Sequence, residues 1–202
     1  MSLHAELVRG VDDWPDFALL LPAGWRSVDA DEASIEGVLE RATAQLKRSG
    51  RPDLDAELRT TMRQALRGGA GREVVRLFLQ ATDDPEAMTP MSMVAARLRP
   101  PSGASLDTYV RELVQERGAA PLAERSPVLA WTQETTTRID GAQVRTLTRN
   151  GLIAVPGTER RQGLLLSAVI VRGAAGAELP QATADAMVAM ADAVFSTFRW
   201  TA

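Results

Sequence analysis

Apolar positions along the chain change period several times, and each change marks an element. Residues 16–21 (DFALLL) form a short apolar run between Pro15 and Pro22, the pattern of a buried strand. Pro22-Ala23-Gly24 is turn chemistry, and Trp25-Arg26-Ser27-Val28 resumes with alternation. A second strand paired to the first is expected there. From Ala33 the period becomes helical. Ile35, Val38, Leu39, Ala42 and Leu46 share one face, and Ser49-Gly50 with Pro52 ends the helix. Asp53 can cap a second helix whose inward face is Leu54, Leu58, Met62, Ala65 and Leu66, closed by Gly68-Gly69. The short connection predicts an αα-hairpin over 33–68.

Residues 74–82 and 91–98 read as strands. Ser105 caps a further helix with Leu106, Tyr109, Val110, Leu113 and Val114 on its apolar face, and Gly118 ends it. Residues 129–139 alternate and are rich in threonine. Asp140-Gly141 suits the positive φ of a type I′ hairpin turn, so 143–148 is expected to return beside 129–139. The run LLLSAVIV at 164–171 is apolar on both faces, as a central strand covered by two layers would be. Pro180 opens a last helix with Met187, Met190, Ala191, Val194 and Phe195 inward. The pattern predicts about four helices and about seven strands. Hairpin connections make the sheet largely antiparallel, so the expected class is α+β, with a central sheet flanked by helices. Repeats, low-complexity tracts and a convincing linker are all lacking, so 1–202 reads as a single domain. Within it, 1–12 is a flexible N-terminus and 33–68 an inserted hairpin.

Composition narrows the chemistry. Hydrophobic residues make up 45% and charged residues 24% of 202 positions, which is globular usage. The chain has no cysteine and one histidine, His4. Thiol catalysis, thiolate zinc sites and a His-based triad or metal centre are therefore not expected, and neither is any cofactor. The first residues lack the basic-then-apolar order of a signal peptide, and no run approaches a membrane span, so the expected compartment is the cytoplasm. A net charge of −3 disfavours general nucleic-acid binding.

Four groups could carry function, each beside a plainer reading. Trp14, Phe17, Trp25, Trp131, Phe195, Phe198 and Trp200 could line a small-molecule or lipid groove. Periodicity favours the alternative, in which the last helix returns to pack on the first strands, with Trp25 and Trp200 in one core. Gly68-Gly69-Ala70-Gly71 resembles a phosphate cradle, but it follows a helix and precedes a strand, so helix termination fits better. Asp12, Asp13 and Asp16, and likewise Asp83, Asp84 and Glu86, lie beside prolines and read as solvated turns. Arg59, Arg63 and Arg67 recur every four residues and form a basic stripe. The plainer reading is a solvated face paired with Glu57 and its neighbours. The functional reading is a protein-binding face for an acidic partner, with the hairpin as the partner-facing element.

A resemblance joins these motifs. FALLLPAGWRSVD, with its Leu21-Pro22-Ala23-Gly24-Trp25 core, and the closing Phe195-Ser196-Thr197-Phe198-Arg199-Trp200 resemble the PsbP-like fold of a photosystem II extrinsic subunit and Ran-binding relatives. The order of segments, with GAQVR at 141–145 and VPGT at 155–158, is more closely similar to uncharacterised actinobacterial proteins of that type. The resemblance implies an α/β/α sandwich, no catalytic residues, and uses that are mostly binding of other proteins. It further implies an adaptor or chaperone beside a type VII-like secretion apparatus. The function expected is thus a non-catalytic protein-binding module. A small-molecule or lipid-binding domain is the alternative, and a homo-oligomer is open to either.

Overall fold

The computed structural model describes residues 14–48, 72–82, 89–100, 105–139, 142–174 and 177–201. Their strands are β1 (Asp16–Ala18), β2 (Trp25–Asp29), β3 (Arg72–Gln80), β4 (Met91–Leu98), β5 (Ala120–Pro121), β6 (Leu129–Ile139), β7 (Ala142–Ala154), β8 (Gly163–Ala174), β9 (Ala177–Glu178) and β10 (Arg199–Thr201). The helices are α1 (Glu32–Arg48), α2 (Leu106–Arg117) and α3 (Gln181–Ser196). The class is α+β. One large antiparallel sheet runs β2-β3-β4-β8-β7-β6-β5, with β9 added to β8, and β1 pairs with β10 in a separate two-stranded sheet.

The LLLSAVIV run lies in β8, between β4 and β7 at the centre of this order. Strand alternation sends its side chains to two layers. Leu164, Leu166, Ala168 and Ile170 join Ala184, Met187, Ala191, Val194 and Phe195 of α3 in one core. Leu165 joins Leu106 and Leu113 of α2, with Trp131 and Leu152, in the other. The continuous apolar run is thus explained by helices on both faces. Close approach also dictates Gly151 on β7. A methyl group there would stand 2.8 Å from Val128 Cγ1 and 3.1 Å from the Phe195 ring.

Ends of elements follow local chemistry. The Asp31 carboxylate accepts the Ser34 N–H at 2.8 Å at the start of α1. That bond, with one from the Ser34 hydroxyl, holds the Asp31 carboxyl below the usual aspartate range. A group with a lowered folded pKa stabilises above its unfolded pKa, and the effect fades as pH falls through the folded one. Ser105 caps α2 by accepting the Asp107 N–H, and Gly118 ends it in the left-handed conformation at φ 62°.

Several expectations need correction. The run at 16–21 is not one buried strand: β1 covers only Asp16–Ala18, and Leu20 is 66% exposed. Nor does β1 pair with β2. Trp25 N–H donates to Pro22 O across a turn whose third residue, Gly24, has φ 79°. The turn delivers β2 to β3, while β1 takes β10, stacking Phe17 on Phe198 at 5.9 Å. On α2, Val114 is exposed rather than inward. β7 runs on from 148 to Ala154, and the described residues hold ten strands and three helices. Trp25 and Trp200 are half-buried and pack against the same core. The second helix of the expected hairpin lies outside the described residues.

The loop from β7 to β8 carries local strain. Arg161 N–H donates to Thr158 O at 3.0 Å, and the two residues between, Glu159 and Arg160, have φ of 50° and 58°. This is a type I′ turn made without glycine. Left-handed backbone costs an ordinary side chain roughly 1–2 kcal/mol. The turn also holds the start of α2, because Arg160 O accepts the Leu106 N–H at 2.8 Å. The double change Glu159→Asn with Arg160→Gly is expected to raise the thermal midpoint by a few degrees, about 1 kcal/mol after loss of the exposed Arg160–Asp107 and Arg161–Glu159 pairs. An unchanged or lower midpoint would show that the turn carries no relievable strain.

Candidate functional site

β6 is a long strand covered along only part of its outer edge. It pairs with β7 from Leu129↔Leu152 to Ile139↔Ala142 without a register shift. On its other side β5 bridges only Leu129 and Ala130. Among the described residues, 132–138 (TQETTTR) therefore border no strand on that side. Their side chains are exposed except for Gln133, which is half-buried.

Hydrogen-bond phase shows which backbone groups face outward. Val128 O accepts the Leu122 N–H on the β5 side, whereas Thr135 O accepts the Thr146 hydroxyl on the β7 side. Antiparallel strands alternate in this respect residue by residue. The N–H and C=O of Thr132, Glu134, Thr136 and Arg138 thus point away from the sheet. Natural edges are usually blunted by proline, a bulge or brevity. Residues 132–138 have none of these, only Glu134 and Arg138 as charges, and their β-branched threonines favour extended backbone.

The edge is held firmly from behind. Arg149 on β7 makes two contacts to Asp192 of α3, Nε to Oδ1 at 2.7 Å and Nη2 to Oδ2 at 3.2 Å. Its Nη1 reaches Thr132 Oγ1 at 3.2 Å, tying helix, strand and edge together. Farther along, a shallow surface depression is lined by Glu134, Thr135, Thr136, Arg145, Thr146 and Arg172. Arg172 donates from Nη1 to Glu134 Oε1 at 3.4 Å, while its buried Nε has no partner among the described residues. Arg145 pairs with Glu178. Burying the Arg172 stem desolvates its charge, and a carboxylate beside it restores the balance.

The residues singled out in the sequence are distributed elsewhere. Arg59, Arg63 and Arg67 lie outside the described residues, as do the glycines at 68–71 and the acids Asp12, Asp13, Asp83, Asp84 and Glu86. Asp16 is in an ion pair with Arg76 at 3.3 Å. The aromatic residues do not form one group. Phe17, Phe195 and Phe198 belong to the core beneath α3, with Trp14, Trp25 and Trp200 against it. Trp131 lies in the opposite layer beneath α2. Trp200 packs edge-on to Phe198 at 4.9 Å, so these rings fill space between elements. The outer edge of β6 is not legible in the sequence. Its alternation, its threonines and the Asp140-Gly141 signal were visible, but which strand ends a sheet depends on where β5 stops.

No family model matches the chain, and no curated protein matches its sequence. Solved structures do resemble it in overall course. A Bacteroides thetaiotaomicron VPI-5482 protein is 8% identical over 92% of this chain, at a TM-score of 0.44, and this chain spans 45% of it. LpqN of Mycobacterium tuberculosis, involved in cell envelope biogenesis, is 11% identical at a TM-score of 0.45, covering 96% of this chain and 88% of its own. Cyanobacterial PsbP from Synechocystis sp. PCC 6803 is 10% identical at a TM-score of 0.35, covering 95% of this chain and 96% of its own.

Proposed function

We propose that this chain is a non-catalytic protein-binding module that takes an extended strand of another polypeptide onto the outer edge of β6. The observation that supports it is the edge at 132–138, which pairs with no strand among the described residues and turns the backbone groups of four alternate residues outward. Strand addition draws affinity from such groups and specificity from the side chains between them. The non-catalytic part is supported by the residue inventory, with no cysteine and a single histidine at position 4. The finer reading, an adaptor or chaperone beside a type VII-like secretion apparatus, rests only on the order of sequence motifs expected of uncharacterised actinobacterial proteins. The basic stripe Arg59, Arg63 and Arg67 is not needed for strand addition.

Thr136→Pro tests the reading. Proline removes the outward N–H at the middle of the edge, and edge strands tolerate it. The variant is expected to keep its circular dichroism spectrum and lose partners that the unmodified chain retains on a column. Amide exchange should slow at Thr132, Glu134, Thr136 and Arg138 when such a partner is bound. A partner whose protection falls elsewhere, or one that Thr136→Pro still binds, would overturn strand addition at this edge.

A further inference from the structure

The edge is complementary to itself. A strand that adds to residues 132–138 in antiparallel sense must present outward groups at alternate positions, in phase with Thr132, Glu134, Thr136 and Arg138. A second β6 meets that requirement. With the two-fold axis at Thr136, each Thr136 faces its counterpart, and each Glu134 stands directly opposite Arg138 of the other copy. All of these residues are in hydrogen-bonding phase. Their side chains lie on one face, because they are even-numbered positions of an unbroken strand. Directly opposed charges of opposite sign, and threonine beside threonine, are favourable cross-strand pairs.

Other registers are poorer. A two-fold at Glu134 sets the two Glu134 carboxylates against each other and drives Arg138 into Ala130, where β5 already pairs. A two-fold at Thr135 keeps the phase but places Glu134 opposite Thr136, leaving the charges diagonal. The self-matching register also extends a charge order already in the chain. Glu134 receives Arg172 through Oε1, and Oε2, which takes no ion pair among the described residues, can receive Arg138 of the second copy. The row then runs Arg172, Glu134, Arg138 in alternating sign. Thr132–Arg149–Asp192 fixes the strand from behind, so the edge is ordered before it pairs.

Resting on the strand-addition reading, we infer that the polypeptide that pairs with β6 is β6 of a second copy, giving a two-fold dimer with one sheet continuous across both chains. Such a contact is isologous and closes on itself, which prevents open-ended growth at this edge. One edge pairing buries less than the roughly 1,200 Å2 of a stable complex, so the dimer is reversible.

Sedimentation of the purified chain over rising concentration is the test. Dimer is expected at a dissociation constant on the order of 10–100 µM. Arg138→Glu alone sets Glu134 against a glutamate, and Glu134→Arg alone sets Arg138 against an arginine. Each variant is expected to self-associate at least about tenfold more weakly. An equimolar mixture of the two restores every opposite-charge pair and is expected to form heterodimers, which a misfolded variant could not do. Thr136→Pro in both chains should abolish them. A chain still monomeric at about 1 mM, or a dimer indifferent to both charge reversals, would overturn the inference. A monomeric chain whose edge amides are nonetheless protected by a different protein would leave strand addition standing and remove only the second copy.

Discussion

Phe195→Ala is expected to destabilise the protein by about 3–5 kcal/mol. Phe195 is 1% exposed on α3. Its ring packs so near β7 that Gly151 has no room for a methyl group. Alanine leaves a void bordered by Gly151, which cannot fill it, and by Val128 on the chain leading into β6. The site therefore collapses poorly, and the loss should fall toward the upper part of the range. For a domain of this size the thermal midpoint should drop by roughly 10 °C. Amide exchange should accelerate in α3 before α2, because Phe195 belongs to the α3 core alone. A fall of less than about 1 kcal/mol would mean that α3 does not anchor the sheet as its burial indicates.

The counterpart on the other face is Trp131→Ala, with an expected cost of about 3–5 kcal/mol. Trp131 is 4% exposed and packs with Leu98, Leu106, Leu113, Leu152 and Leu165. It stands beside Asn150, whose buried Oδ1 accepts the Ser167 hydroxyl at 2.8 Å. Removing the indole opens that satisfied polar pair to water as well as creating a cavity. Here exchange should accelerate in α2 before α3, the reverse order of Phe195→Ala. Chemical denaturation with backbone exchange distinguishes them. The same order of helix loosening in both variants would refute a core divided by the sheet into two layers.

How far the sequence could be read varied with the range of the forces involved. β4 and α2 match their expected limits, and α3 begins directly after Pro180, because alternation, the Ser105 cap and Gly118 act within a few residues. The two-faced apolar run of β8 announced cover on both sides, and α2 and α3 supply it. The partner of β1 is not legible in the sequence, where Pro22-Ala23-Gly24 reads as a hairpin connection. The turn itself is real, but it delivers β2 to β3, and Phe17 stacks on Phe198 at the other end of the chain. Burial at such a site is a property of both segments together, and neither one carries it alone.

The candidate site divides in the same way. Threonines and alternation at 129–139 establish an extended strand, and the Asp140-Gly141 dipeptide establishes its return, both through local backbone preference. Glu134 and Arg138 are four apart and even-numbered, so their shared face follows from strand period alone. That the edge of this strand beyond Ala130 borders no further described strand follows from something else. β5 leaves β6 after Ala130 because the chain must turn from Gly118, at the end of α2, and α2 is placed by its core with Trp131 and Leu165. Local chemistry therefore decided which elements form and which residues share a face. Packing of distant segments decided which backbone groups remain unpaired, because hydrogen-bond satisfaction at a sheet edge is settled only when every other strand has taken its place.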